Sequence, residues 1–123
     1  MNTFICYERC STCKKAEKWL DSHGVSYEKR PIKEQNPSAE ELEAWVKKSG
    51  LSVKKFVNTS GMLYRELELK DKLPSMSDDE MISLLATDGM LVKRPLFVMD
   101  ETVLVGFKEA DWEKYIYARK LGS

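Results

Sequence analysis

Thr3-Phe4-Ile5-Cys6-Tyr7, then Cys10-Ser11-Thr12-Cys13, then Lys14-Lys15-Ala16-Glu17-Lys18-Trp19-Leu20 bring an apolar run, a short break and an amphipathic run together within one stretch of chain. The first run predicts a short buried strand over residues 3–7. The last predicts a helix over residues 11–23, with Cys13, Ala16, Trp19 and Leu20 on one face and Gly24 closing it. Strand, loop and helix therefore meet at a dithiol. Backbone N–H groups at a helix start carry partial positive charge, so a cysteine placed there is more easily held as its thiolate, the nucleophilic form.

Working outward, Val25-Ser26-Tyr27-Glu28-Lys29-Arg30 alternates as a second strand and stops at Pro31. A strand-helix-strand unit of this length predicts that the first two strands run parallel. Ser38 with Glu41 makes a capping-box pattern ahead of Leu42, Trp45 and Val46, with Gly50 as the helix end. Ser77 with Glu80 repeats it ahead of Met81, Leu84 and Leu85, with Gly89 as the end. Residues 53–56 and 61–67 predict shorter helical pieces, and Pro74 breaks the last of them. Residues 37–88 thus read as a helical insertion without internal repeats. Leu91 to Met99 is the strongest β-like stretch, interrupted by Arg94-Pro95, and Asp100-Glu101-Thr102 turns it into Val103-Leu104-Val105-Gly106 as a hairpin. Residues 109–119 predict a closing helix carrying Ala110, Tyr115, Ile116 and Ala118, with Trp112 and Tyr117 at its edges.

A chain of 123 residues with 42% hydrophobic content holds one core and is short for two, so residues 1–123 are expected to form a single α/β domain. Lysine plus arginine equals aspartate plus glutamate at 20 each, which leaves no global field to gather the protein on nucleic acid or an anionic membrane. No run approaches the roughly 20 apolar residues of a membrane span, and the first strand leaves no room for a leader peptide. A cytoplasmic location is expected. In that reducing compartment a cysteine pair serves catalysis, sensing or metal binding rather than structural bridging.

Cys10 and Cys13 suit a nucleophile and a resolving thiol one helical turn apart: the first sulfur attacks and the second closes a disulfide on it. Arg9, Lys14 and Lys15 flank the pair, and the nearest carboxylates, Glu8 and Glu17, lie beyond them. The plainer alternative is two ordinary buried cysteines. Cys6-x-x-x-Cys10-x-x-Cys13 matches the iron–sulfur spacing of radical enzymes that use S-adenosylmethionine, but Cys6 sits on an apolar strand and such enzymes need a much larger partial barrel. Three cysteines and the lone His23 make a poor zinc site, and His23 reads as a solvated residue of the last helical turn. No metal or cofactor is expected. Arg94-Pro95 has two readings, a turn or cis peptide holding the chain beside a site, or a strand-start proline with a surface arginine; the dithiol tilts the choice toward the site. Trp19, Trp45 and Trp112 read as core or edge aromatics rather than a base-stacking platform, and Lys47-Lys48 and Lys54-Lys55 as solvated helix faces.

Tyr7-Glu8-Arg9-Cys10-Ser11-Thr12-Cys13-Lys14-Lys15-Ala16, Asn58-Thr59-Ser60-Gly61 followed by Tyr64, Lys93-Arg94-Pro95 and Val105-Gly106-Phe107 together give a resemblance over about residues 2–117. The chain resembles the thioredoxin-fold group that contains glutaredoxin-linked arsenate reductases and Spx-type redox regulators. The resemblance implies a four-stranded mixed sheet with the middle helices inserted. It also implies Cys10 as the active or redox-sensing cysteine, Pro95 as a cis-proline facing it, Ser11 and Thr12 shaping the site between the cysteines, and Arg94 as an oxyanion-binding arginine. Arsenate reductases of the group carry two further arginines, near the positions of Asn58 and Gly106, which this sequence lacks. They generally lack the second cysteine, whereas Cys13 is present here as in Spx-type proteins. Those regulators bind the RNA polymerase α subunit instead of turning over substrate, and carry a longer basic C-terminal region than this chain, which ends at Ser123. The expected function is therefore a thiol–disulfide oxidoreductase of the arsenate reductase family working through Cys10 and Cys13, with thioredoxin or glutathione and glutaredoxin as reductant. The alternative is an Spx-like regulator that binds the polymerase α subunit, with arsenate reduction proper a third reading.

Overall fold

The alternation of β1 (Thr3–Cys6) decides which side of the molecule each helix takes. Phe4 and Cys6 share one face and Ile5 the other, as the two-residue period of a strand requires, and all three are buried. Phe4 and Cys6 join an apolar cluster with Cys13, Ala16, Trp19, Leu20, Phe97, Leu104 and Trp112, built on α1 (Ser11–Ser22) and α6 (Glu109–Trp112). Ile5 joins a second cluster with Ile32, Leu42, Trp45, Phe56, Met81, Leu85 and Leu96, built on the helical segment between the second and third strands. The computed structural model describes residues 2–117.

β2 (Glu28–Pro31), β1, β3 (Leu96–Val98) and β4 (Val103–Val105) lie side by side in the order β2-β1-β3-β4. β1 pairs parallel with β2, and β3 is antiparallel to both β1 and β4. The result is a thioredoxin-like α/β fold with a four-stranded mixed sheet, as the resemblance implies. Pro31 does not stop β2 short; it is the strand's last residue, opposite Cys6. β2 is an edge strand, so the missing N–H of a proline leaves no central ladder bond unmade.

The inserted segment follows its capping signals. α2 (Ala39–Ser49) and α5 (Asp78–Leu85) each begin with a complete capping box, Ser38 with Glu41 and Ser77 with Glu80. Gly50 closes α2 in the left-handed region, at φ +71°. Between them run a 3-10 turn over Val53–Phe56, α3 (Met62–Glu66), α4 (Leu69–Lys72) and a 3-10 turn over Leu73–Ser75 that contains Pro74. A clamp fixes α2 to the sheet edge: Arg30 donates to both carboxylate oxygens of Glu41, at 2.6 and 2.9 Å, and its guanidinium lies over the Trp45 ring.

Four expectations are corrected. Gly89 does not end α5, which closes at Ala86; it opens a 3-10 turn over Gly89–Leu91, packed so tightly on β2's exit that a Cβ would collide with the Ile32 carbonyl oxygen. The β-like run from Leu91 contracts to Leu96–Val98, because that turn occupies its beginning and Val92 forms only an isolated bridge with Val57. Trp112 is core, not edge: it is 1% exposed, and its indole N–H donates to the Gly106 carbonyl at 3.0 Å. Lys48 is not simply solvated, since its ammonium donates to the Met99 carbonyl at 3.2 Å. The closing helix passes from α6 into a π-helical turn over Glu113–Tyr117; its expected continuation through Ala118 to residue 119, and the Tyr117 side chain, lie outside the described residues.

Candidate active site

Strand register assembles the site. Ile5 pairs with Leu96 and Leu96 with Val105, so the residues just before β3 and just after β4 lie at the end of β1 from which the chain enters α1. Arg94-Pro95 and Gly106-Phe107 are thereby brought to the Cys10 end of the sheet. The Arg94–Pro95 peptide is cis, Pro95 is buried, and its carbonyl accepts from the Gly106 N–H at 2.9 Å. Gly106 has φ +70°, and a Cβ there would stand 3.2 Å from Lys93 Cε, so the backbone at this position suits glycine.

Cys10 is the N-cap of α1, with extended φ/ψ, and its sulfur accepts the Cys13 N–H at 3.4 Å. A turn closed by the Cys10 N–H on the Tyr7 carbonyl at 3.0 Å delivers it there. Ser11 and Thr12 form the first helical positions, Ser11 exposed and Thr12 half-buried. Cys13 lies one turn deeper, 3% exposed, and its sulfur accepts the Tyr7 N–H at 3.4 Å. All three cysteines are free thiols.

The two thiols of the pair are set in opposite directions. Burial pushes the Cys10 thiol up, but the Cys13 N–H, the Cys13 thiol, the Arg94 guanidinium and the Thr12 N–H outweigh it, and the net effect is a lowered pKa. Burial dominates at Cys13 and, with the neighbouring Cys10, pushes its thiol up to about 12 despite the Tyr7 N–H. Cys6, on the core face of β1, is also pushed up by burial. One half-buried, acidified sulfur thus stands in front of one buried, protonated sulfur.

Arg94 reaches this site from the side. Its guanidinium lies over the Tyr7 ring, 5.1 Å from the centroid, and Nη1 makes a long bond, 3.5 Å, to the Met90 carbonyl. Nε is buried without a hydrogen-bond partner among the described residues. Asn58 is held beside it because the Val57–Val92 bridge aligns the two loops. Its side chain donates to the same Met90 carbonyl at 3.2 Å and accepts the Ser60 N–H at 3.3 Å. Sequence reasoning quotes Tyr7 only at the head of the cysteine motif and gives it no role, although its N–H, C=O and ring each hold one of Cys13, Cys10 and Arg94. The only local signal was its place three residues before Cys10; nothing in the sequence links its ring to position 94. Among the described residues no three His, Cys, Asp or Glu side chains converge as metal ligands, and no helix is long and apolar enough to cross a membrane.

A thioredoxin-like sheet whose first helix starts on Cys-x-x-Cys, with a cis-proline brought to the same end, defines the class of protein. The family follows from comparison: the model of the ArsC family matches residues 6–115, and the chain belongs to that family. It is 58% identical over 112 residues to the uncharacterized protein YusI of Bacillus subtilis, covering 91% of this chain and 95% of that one. The crystal structure of an ArsC family related protein from Bacteroides fragilis superposes with a TM-score of 0.90 at 56% identity, covering 92% of this chain and 95% of that chain. The global transcriptional regulator Spx of Staphylococcus epidermidis is 24% identical over 117 residues, 94% of this chain and 87% of its own length.

Proposed function

We propose that the protein is a cytoplasmic thiol–disulfide oxidoreductase, its chain acting as one domain, in which Cys10 attacks and Cys13 resolves. The asymmetry of the pair carries this reading: Cys10 is half-buried at the helix cap with its thiol made more acidic, and Cys13 is buried directly behind it. The Cys10 thiolate attacks one sulfur of a substrate disulfide; the S–S bond breaks, a mixed disulfide forms and the other substrate sulfur leaves as a thiolate. Part of what holds the Cys13 proton is the adjacent Cys10 charge. That charge vanishes once the Cys10 sulfur is bonded, so Cys13 becomes more acidic when it is needed. Cys13 then loses its proton and attacks Cys10, releasing the second substrate thiolate and leaving a Cys10–Cys13 disulfide. Two electrons from a dithiol protein such as thioredoxin, or from glutathione with glutaredoxin, restore the starting state.

Arg94 and Pro95 form the wall on which the incoming sulfur is aligned, and the guanidinium supports the thiolate electrostatically. Arsenate fits less well. Asn58 and Gly106 supply no guanidinium, and losing two charge-assisted contacts forfeits roughly 1.5–3 kcal/mol each.

The test is reduction of a disulfide substrate with thioredoxin, or with glutathione and glutaredoxin, as electron source. Wild-type protein turns over, and Cys10→Ser abolishes turnover while keeping its far-ultraviolet circular dichroism. A wild-type protein without turnover under either reductant sinks the reading. A second reading, redox regulation through the RNA polymerase α subunit, is favoured by the similarity to Spx and by the exposed Leu51, Met62 and Leu67 on the inserted segment. It requires the α subunit to be retained differently by oxidised and reduced protein.

A further inference from the structure

The solvent face of α1 carries a basic stripe that begins at Cys10. Ser11, Lys14, Lys15, Lys18 and Ser22 recur at the spacing of one helical face, and all are exposed. The acids of the helix are committed elsewhere: Glu17 binds Lys29 at 3.0 Å, and Asp21 accepts from the Tyr27 hydroxyl at 2.7 Å. None of Lys14, Lys15 and Lys18 is held by an acid among the described residues. The chain carries 20 basic and 20 acidic residues, so this excess belongs to the face and not to the composition.

A cleft of about 350 Å³ runs along the stripe, lined by Lys15, Lys18, Trp19, Ser22, Phe107 and Glu109. Phe107 anchors it to the thiol site. It packs against the same apolar cluster as Cys10, its ring stands 6.3 Å from Trp19, and it follows Gly106, which is bonded to Pro95. Lysines on the α1 wall and Glu109 on the wall after β4 polarise the cleft.

We infer that this cleft docks the disulfide substrate, a peptide disulfide with carboxylates two to four residues from its cysteine, laid along α1 with those carboxylates on Lys15 and Lys18. The inference rests on the thiol–disulfide reading above. The helical rise of about 1.5 Å per residue sets Lys15 and Lys18 roughly 7 and 12 Å beyond Cys10 along the axis, and an extended peptide advances about 3.3 Å per residue. A tripeptide thiol such as glutathione, with carboxylates one residue to each side of its sulfur, falls short of Lys18.

The experiment compares two peptide disulfides of equal length, one with glutamates and one with glutamines at the second and fourth positions from the cysteine, with glutathione disulfide alongside. For wild type, kcat/KM for the acidic peptide exceeds that for the neutral one about tenfold in about 20 mM salt, and the ratio collapses in about 0.5 M salt. Glutathione disulfide falls below the acidic peptide. Lys15→Glu with Lys18→Glu removes the preference, whereas the same charge change at Lys54→Glu with Lys55→Glu keeps it. Equal rates for the peptides in wild type, or a preference that survives reversal at Lys15 and Lys18, overturns the docking site and leaves the exchange chemistry standing. Turnover of glutathione disulfide but of neither peptide overturns the docking site alone, and turnover of none of the three disulfides overturns both.

Discussion

Arg94 and Asn58 share one acceptor, the main-chain carbonyl of Met90, at 3.5 and 3.2 Å. The shorter bond belongs to Asn58, so Arg94 is the more loosely bonded of the two. Nε is buried without a hydrogen-bond partner among the described residues, and the guanidinium rests over the Tyr7 ring. The prediction is that Tyr7 acts on Cys10 through Arg94, as a positioning residue. Arg94→Met moves the pH profile of Cys10 alkylation to higher pH, because a cation that favours the thiolate is gone. Tyr7→Leu moves it the same way, slowing alkylation near neutrality two- to fivefold, the equivalent of a cation–π contact of about 0.5–1 kcal/mol. Tyr7→Phe keeps the ring and leaves the profile in place. The double variant Tyr7→Leu, Arg94→Met goes no further than Arg94→Met; additive shifts would separate the two residues.

Cys13 is expected to matter after the first attack and not before it. Cys13→Ser releases the first substrate thiol and retains the second, and mass spectrometry of the reaction shows a stable mixed disulfide on Cys10 where wild type shows an internal disulfide. With its thiol held near 12, Cys13 stays unlabelled by iodoacetamide at neutral pH while Cys10 reacts. Equal labelling of both would remove the asymmetry from the mechanism.

Glu41 gives the fold an acid-sensitive clamp. The Arg30 guanidinium, with help from Ser38, holds its carboxyl at about 2, below an ordinary value of 4.5. The folded state thus binds the proton more weakly than the unfolded one. The stabilisation is complete above about 4.5, declines as the pH falls below that value and is lost as it falls through about 2. The carboxylate side chain is 38% exposed, so Glu41→Gln costs only about 1 kcal/mol at neutral pH. Urea midpoints of variant and wild type converge as the pH is lowered across that window.

Gly89→Ala forces a methyl group into the Ile32 carbonyl oxygen. The Ile32 carbonyl is backbone and a Cβ has no rotamer, so no side-chain rotation relieves the contact. A loss of about 3 kcal/mol follows, read as a lower urea midpoint. A variant as stable as wild type would show that the turn after α5 shifts freely.

Local signals were legible where local physics decides. Ser38, Glu41, Ser77 and Glu80 announce two helix starts because a capping box is complete within four residues, and Gly50 closes α2 for the same reason. Cys10-Ser11-Thr12-Cys13 announced a helix start on a cysteine, and the chain entering it announced β1. What failed was long-range. Pro31 sits inside β2 only because β2 is an edge. Gly89 answers to a carbonyl far away in sequence, not to the helix just before it. The 3-10 turn at Gly89–Leu91 is set by the Asp88 side chain accepting the Met90 N–H at 2.8 Å, which cuts short an apolar run that otherwise reads as β. Trp112 and Tyr7 are placed by partners on other elements.

The hydrogen bond from Trp112 to Gly106, and the one from Gly106 to Pro95, tie the last helix to the wall beside the thiols. On a ribosome these parts emerge in order. Cys10 and Cys13 appear about 100 residues before Trp112, which at the usual pace of about 5–20 residues per second is roughly 5–20 s. Through that interval the nascent chain bears two thiols with neither the Arg94-Pro95 wall beside them nor the core that shields Cys13. The architecture makes reactivity under control the last property the protein acquires.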